Sequence, residues 1–179
     1  QKKEENLKRL FGNKNEEKLM EEGDASHFDQ IKKLMQNHGV NILLPEDFAI
    51  SKNDTREEIS KSQLPTDQGL FDIGIKSIEN FKDELSNAKT VFLSGPCGVF
   101  EEEIFMKGNR EIFGFVADSD VFSIVGGGHT VAAVKKLGLE NKISHISTGG
   151  GSLEKFMMGE KLPVVEALKN AKTKNIAVN

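Results

Sequence analysis

Phe122-Ser-Ile-Val-Gly-Gly-Gly-His-Thr-Val-Ala-Ala-Val134 changes character twice within a short span. Val121 to Val125 reads as a short buried strand, Gly126 to Gly128 as a turn, and His129 onward as the start of a helix. Glycines let a backbone come close to an anion, and the first N–H groups of a helix point at it. A phosphate is the usual ligand of such a turn. Similar stretches lie on either side: Val91-Phe-Leu-Ser-Gly-Pro-Cys-Gly-Val-Phe100 and Ile143-Ser-His-Ile-Ser-Thr-Gly-Gly-Gly-Ser-Leu153. Each is an apolar run, then glycines, then a helical pattern.

From Lys89 onward the pattern alternates strictly. A strand at Thr90 to Leu93 leads to a helix from about Glu101 to Phe115, then strand 121–125, helix 129–137 and strand 143–146. A further helix is expected from about Ser152, and Leu162-Pro-Val-Val-Glu-Ala-Leu168 opens a last one with Pro163 in its first turn. Near-continuous apolar strands alternating with helices imply an α/β fold: a doubly wound parallel sheet in a Rossmann-like three-layer α/β/α arrangement. Upstream, Ile75 to Asn87 is a helix with Ile78, Phe81 and Leu85 on one face. Residues 51–68 are a polar excursion with room for a hairpin, marked by the turn signals Asn53-Asp54 and Pro65-Thr-Asp-Gln-Gly69. Val40 to Leu44 reads as a short strand stopped by Pro45, and Asp47 to Ile50 as a second extended piece. Residues 1–39 are charged and helical in period, with Leu7, Leu10 and Phe11 on one face and Ile31, Leu34 and Met35 on another. Asp24 or Ser26 would cap the second of these helices, and Asn37-His-Gly39 would end it.

With 179 residues, 37% of them hydrophobic and 29% charged, the chain suits one domain with a polar surface. A net charge of -4 gives no reason to expect nucleic acid or an acidic membrane as partner. No apolar run approaches the roughly 18 residues of a membrane span. Gln1-Lys-Lys-Glu-Glu is too charged for a secretory signal, and one cysteine fits a reducing compartment, so a cytoplasmic location is expected. The missing initiator Met points to a start inside a longer protein.

In an open parallel sheet, ligands sit beyond the carboxyl ends of the strands, so the three glycine turns are expected to converge on one crevice. Backbone N–H groups from Gly126 to Gly128 and from Gly149 to Gly151 can bind phosphoryl oxygens without a basic side chain. Tight strand-to-helix turns that need glycine only for steric reasons are the plainer alternative. There is no G-x-x-x-x-G-K-[ST], which excludes an ordinary P-loop NTPase, and no well-placed G-x-G-x-x-G for a dinucleotide. Glu101 can accept from ribose hydroxyls or merely favour a helix dipole. Thr130 can hold a phosphate or a metal-bound water, or cap its helix. His129 can contact a phosphate or face solvent. Cys97 is either reactive or a small buried filler. His145 is expected to pack or hydrogen-bond within the sheet, and His27 and His38 to lie on the surface. No His/Cys grouping has metal-ligand spacing, and no Ser-His-Asp grouping stands out around Ser94.

These segments resemble the phosphoglycerate kinase family. Thr90-Val-Phe-Leu-Ser-Gly-Pro-Cys-Gly-Val-Phe-Glu101 is similar to its W-N-G-P-x-G-V-F-E, Val125-Gly-Gly-Gly-His-Thr-Val-Ala-Ala133 to its I-G-G-G-D-T-x-x-A, and Lys142-Ile-Ser-His-Ile-Ser-Thr-Gly-Gly-Gly-Ser-Leu-Glu154 to its K-I-S-H-V-S-T-G-G-G-A-S-L-E. Gly159 to Leu168 resembles G-K-x-L-P-G-V-x-A-L, Asn41 to Asp47 the V-L-P-V-D strand, and Phe71-Asp-Ile-Gly74 the L-D-I-G. The likeness runs in order over about residues 40–168.

The resemblance implies reversible phosphoryl transfer between 1,3-bisphosphoglycerate and ADP, giving 3-phosphoglycerate and ATP. In that family an N-terminal domain holds the phosphoglycerate, a C-terminal one holds Mg²⁺ with ADP or ATP, and hinge closure brings them in line. Residues 1–168 would be a partial C-terminal nucleotide domain lacking its first strands, residues 169–179 a C-terminal tail, and the phosphoglycerate domain would lie outside the chain. Pro96, Gly98 and Val99 would line the ribose and base side, Glu101 would hold the ribose, and Phe71 would stand against adenine. Ser94 replaces the family's Asn beside the nucleotide. Gly126, Gly127, Gly128, His129 and Thr130 would face the phosphates, and Thr148, Gly149, Gly150 and Gly151 would stabilise the group in transfer. His129 replaces an Asp that holds Mg²⁺; histidine suits that hard ion poorly, so the metal would be held mainly by phosphate oxygens and waters. Both replacements resemble the archaeal branch. The family's G-G-A-K-V-x-D-K segment and G-G-x-x-A turn do not occur, so the 179 residues alone are expected to show no turnover. A stand-alone nucleotide-binding module is the rival reading; it would need a new N-terminal strand in residues 1–39. A monomer is expected, without nucleic acid or membrane.

Overall fold

The computed structural model describes residues 28–176. The expected helix around Leu7 to Phe11, the candidate caps Asp24 and Ser26, and His27 lie outside them. The chain gathers into two compact units, one taking the chain to Asn87 together with Cys97–Phe115, the other taking Ala88–Pro96 and everything from Val116 on.

The first unit opens with helix α1 (Phe28–His38) and a 3-10 turn at Gly39–Asn41. The strand expected over Val40 to Leu44 does not form: Leu43 and Leu44 are exposed, and an apolar run with nothing to pair with has no ladder to join. The extended piece expected over Asp47 to Ile50 does form, as β1 (Asp47–Lys52), which pairs antiparallel with β2 (Thr55–Ser60). Asn53 and Asp54 both take positive φ, 52° and 57°, which gives the two-residue hairpin turn whose twist matches its strands. The short strand β3 (Asp72–Ile73) joins the other edge of β1 and completes a three-stranded sheet in the order β2-β1-β3.

Helix α2 (Ile75–Ser86) follows directly, with Gly74 at its N-cap supplying no side chain. Asp47 supplies one from across the sheet: its carboxylate accepts the N–H groups of Lys76 at 2.9 Å and Ser77 at 2.8 Å. Burial alone would raise the Asp47 pKa, yet the bonds from Ser77 and Lys76 outweigh it and hold the carboxyl below its ordinary value. The unit's core is Ala49, Ile50, Ile59, Ile73, Ile78, Phe105, Met106, Ile112 and Phe113.

The second unit is α/β, as its alternating pattern predicts. Strands β4 (Thr90–Ser94), β5 (Phe122–Gly126) and β6 (His145–Ile146) form a parallel sheet in that order. Register sets Ser94 opposite Gly126 and Val125 opposite Ile146, so the three strands end side by side. A reciprocal pair locks the β5–β6 edge: the Ser144 hydroxyl accepts the Ser123 N–H at 3.1 Å, and the Ser123 hydroxyl accepts the Ser144 N–H at 3.0 Å. His145 is exposed at the start of β6 rather than packed in the sheet.

Helix α3 (Lys107–Asp118) starts six residues later than its periodicity implies, because Glu103–Phe105 is spent on a 3-10 turn. Helices α4 (Gly128–Lys136), α5 (Gly150–Met157) and α6 (Pro163–Ile176) follow, and α6 includes residues 169–176 of the expected tail. Val91, Val116, Ala117, Val125, Ala133, Val134 and Ile143 are buried in this unit.

Candidate functional site

In the second unit, α4 and α5 both begin without a side-chain cap, at Gly127 and Gly149. The first rung of α4 is Val131 N–H to Gly127 carbonyl at 3.0 Å, and that of α5 is Leu153 N–H to Gly149 carbonyl at 2.7 Å. The N–H groups ahead of each rung lie outside the helical ladder, at the positive ends of the two dipoles. Gly127 has φ of 91°, a conformation that side chains rarely adopt.

The three strand ends are tied to one another. The Thr130 hydroxyl, in a residue only 1% exposed, accepts the Gly95 N–H at 2.7 Å and joins the turn after β4 to that after β5. Gly150 packs on Gly127 so closely that a Cβ on Gly150 would lie 2.7 Å from the Gly127 Cα, which joins the turns after β5 and β6. The Ser94 hydroxyl donates to Glu154 Oε1 at 2.8 Å and closes the ring between the first turn and α5. Thus Ser94, Gly126, Gly127, Thr130 and Gly150 come together, with Gly128 exposed on the same turn as Gly127. His129, Thr148, Gly149 and Gly151 lie on the same turns and are exposed, while Pro96, also in this unit, is half-buried.

Phe71, Gly98, Val99 and Glu101 belong to the first unit. The Phe71 ring stacks on Phe105, centroids 4.8 Å apart and planes 20° from parallel, and its carbonyl accepts the Val99 N–H at 2.8 Å. A Cβ on Gly98 would run into the Asp72 carboxylate. Glu101 is exposed in a turn ahead of the 3-10 segment, so it has no helix dipole to favour. Cys97 is half-buried, and burial, reinforced by the Asp72 charge, pushes its thiol up to about 12. It is a filler rather than a nucleophile.

Asp72 is buried, and its carboxylate meets Arg56 Nη1 at 2.6 Å and the Gly108 N–H at 2.9 Å. Burial raises its pKa despite those partners. Asp72, Asn109, Gly95 and Glu154 were all missed as organisers of these loops. The one sequence signal was a polar Asn109 inside an otherwise apolar helix face.

Compared with known proteins, residues 6–160 match the family model for phosphoglycerate kinase. The chain belongs to the phosphoglycerate kinase family. It is 45% identical over 141 residues to the phosphoglycerate kinase of Thermoplasma volcanium, covering 79% of this chain and 34% of that protein. It is 43% identical over 165 residues to that of Methanosarcina mazei, covering 92% and 39%. The crystal structure of phosphoglycerate kinase from Pyrococcus horikoshii superposes with a TM-score of 0.82 at 36% identity, over 92% of this chain and 41% of that one. The chain therefore spans between about a third and two fifths of the length of these family members.

Proposed function

We propose that this chain supplies the nucleotide side of a phosphoglycerate kinase. The protein it serves would move a phosphoryl group reversibly between 1,3-bisphosphoglycerate and ADP, yielding 3-phosphoglycerate and ATP. The observation that carries this reading is the pairing of two uncapped helix N-termini, packed together at Gly127 and Gly150 beyond the ends of parallel strands. Gly126, Gly127 and Gly128 take the nucleotide's phosphates. Thr148, Gly149, Gly150 and Gly151 face the group in transfer, whose charge spreads over oxygens that the Gly150 and Gly151 N–H groups match without reorganising, the Gly149 N–H being given to the Ser147 hydroxyl at 3.3 Å. Thr130, 1% exposed with its oxygen accepting from Gly95, serves indirectly, by holding the turn after β4 against the turn after β5. Phe71, Pro96, Gly98, Val99 and Glu101 serve the nucleoside.

Mg²⁺ would enter with the nucleotide. The chain's donors fit a direct metal site poorly: among the described residues no group of three or more His, Cys, Asp or Glu can hold an ion, and position 129 carries an imidazole. No step is therefore assigned to a protein-bound ion. Among the described residues no helix is long and apolar enough to cross a membrane.

The test is a coupled assay of ADP formation from ATP and 3-phosphoglycerate. The longer gene product is expected to turn over and the 179 residues alone to bind ADP without turnover. Turnover by the 179 residues would overturn the reading that the G-G-A-K-V-x-D-K segment and the phosphoglycerate domain, both outside these residues, are needed for the reaction.

A further inference from the structure

Asn109 is 0% exposed, and an amide so placed must have both ends paired or cost free energy. Its partners are not on its own helix. Its Oδ1 accepts the Cys97 N–H at 2.8 Å, and its Nδ2 donates to the Gly98 carbonyl at 3.2 Å. The neighbouring Gly108 N–H donates to Asp72, the same carboxylate that leaves no room for a Cβ on Gly98. The Val99 N–H is taken by the Phe71 carbonyl at 2.8 Å, and the Val99 carbonyl takes the Glu102 N–H at 3.3 Å. Every residue from Cys97 to Val99 thus has at least one backbone group committed, with Asn109 gripping two of them. Arg56, reaching in from the β1–β2 hairpin, neutralises Asp72 and bonds the Ile73 carbonyl at 2.8 Å.

We infer that Asn109 is a positioning residue for nucleoside recognition: it holds Cys97 and Gly98 so that Gly98, Val99 and Glu101 present a preformed surface to the nucleoside, and it has no part in holding phosphate. This rests on the nucleotide reading of those three residues. A preformed loop removes the ordering cost that binding would otherwise meet. Both bonds of the Asn109 amide lie within the first unit, so its loss should separate two ligands that a general loss of folding would weaken together.

The experiment titrates ADP and inorganic pyrophosphate into the 179-residue chain and into Asn109→Ala and Asn109→Asp, by calorimetry, with amide hydrogen exchange at Cys97. Asn109→Ala is expected to weaken ADP by about tenfold or more, the effect of losing a buried hydrogen-bonded clamp, while pyrophosphate changes by less than about twofold. Exchange at the Cys97 N–H should speed up in Asn109→Ala and not in Asn109→Asp, which keeps the acceptor. If Asn109→Ala does not fold, Asn109→Asp is the variant read, with a smaller loss confined to ADP. ADP binding equal to the unsubstituted chain, or equal losses of both ligands, would overturn the inference. An unsubstituted chain that takes up neither ligand would overturn the nucleotide reading itself, and the inference with it.

Discussion

The backbone of Gly150 lies against Gly127 so tightly that a Cβ on Gly150 would stand 2.7 Å from the Cα and 3.0 Å from the N of Gly127. Real Cβ atoms do not approach backbone so closely, and backbone cannot rotate away as a side chain can. Gly150→Ala should therefore push the turns after β5 and β6 apart. Overpacking of this kind costs about 1–3 kcal/mol, measurable as a lower urea midpoint. Gly151→Ala, where the added atom meets open space, is the control and should leave the midpoint nearly unchanged.

The buried Arg56–Asp72 pair yields a second expectation. Removing one partner of such a pair strands the other charge out of water, at a cost of roughly 3–5 kcal/mol. Arg56→Leu should show that loss in chemical denaturation. Because the raised Asp72 pKa reflects burial of the charged form, adding Asp72→Asn should recover part of it.

Asp47 caps α2 as a charged group whose folded pKa is lowered, so the stability it contributes is present above its unfolded pKa and lost as pH falls through the folded one. Asp47→Asn keeps the shape and removes the charge, and should cost about 0.3–1 kcal/mol at pH 7. The difference from the unsubstituted chain should shrink toward zero in strong acid, read from urea midpoints across pH. A difference that persists in acid would show that shape, not charge, makes the cap.

Much of this was legible in the sequence, for physical reasons that also mark where reading stopped. The β4-β5-β6 unit announced itself because short, mainly apolar runs recur, each followed by a glycine-bearing turn and a helical pattern. The β1–β2 hairpin was visible through Asn53-Asp54, residues that tolerate positive φ. Of the two extended pieces expected before residue 51, Asp47 to Ile50 forms and Val40 to Leu44 does not, since apolar character alone cannot say which run finds a partner. Glu101 was set at a helix start because nothing local reveals that Glu103–Phe105 tightens into a 3-10 turn. Phe71, Ser94 and the glycines were proposed through their motifs. Glu154, Asn109 and the Gly95–Thr130 bond were not, because contacts at long sequence separation leave no periodicity.

Cys97 offers a simple chemical check. With its thiol at about 12, its thiolate fraction at pH 8 should be lower than that of an ordinary cysteine near 8.5 by roughly three orders of magnitude. Labelling by a disulfide reagent should be correspondingly slow in the folded chain and become fast in denaturant. Rapid labelling of the folded chain would contradict the buried-filler assignment.

The central claim is that two paired, uncapped helix N-termini hold a nucleotide's phosphates. Its most direct measurement is a titration of the isotope-labelled chain with ATP, which carries the group in transfer, following backbone amide resonances. The account predicts saturable shifts of the Gly127, Gly128, Gly150 and Gly151 amides, with the Thr130 amide moving alongside them. Saturable ATP binding that leaves those amides unmoved would contradict it.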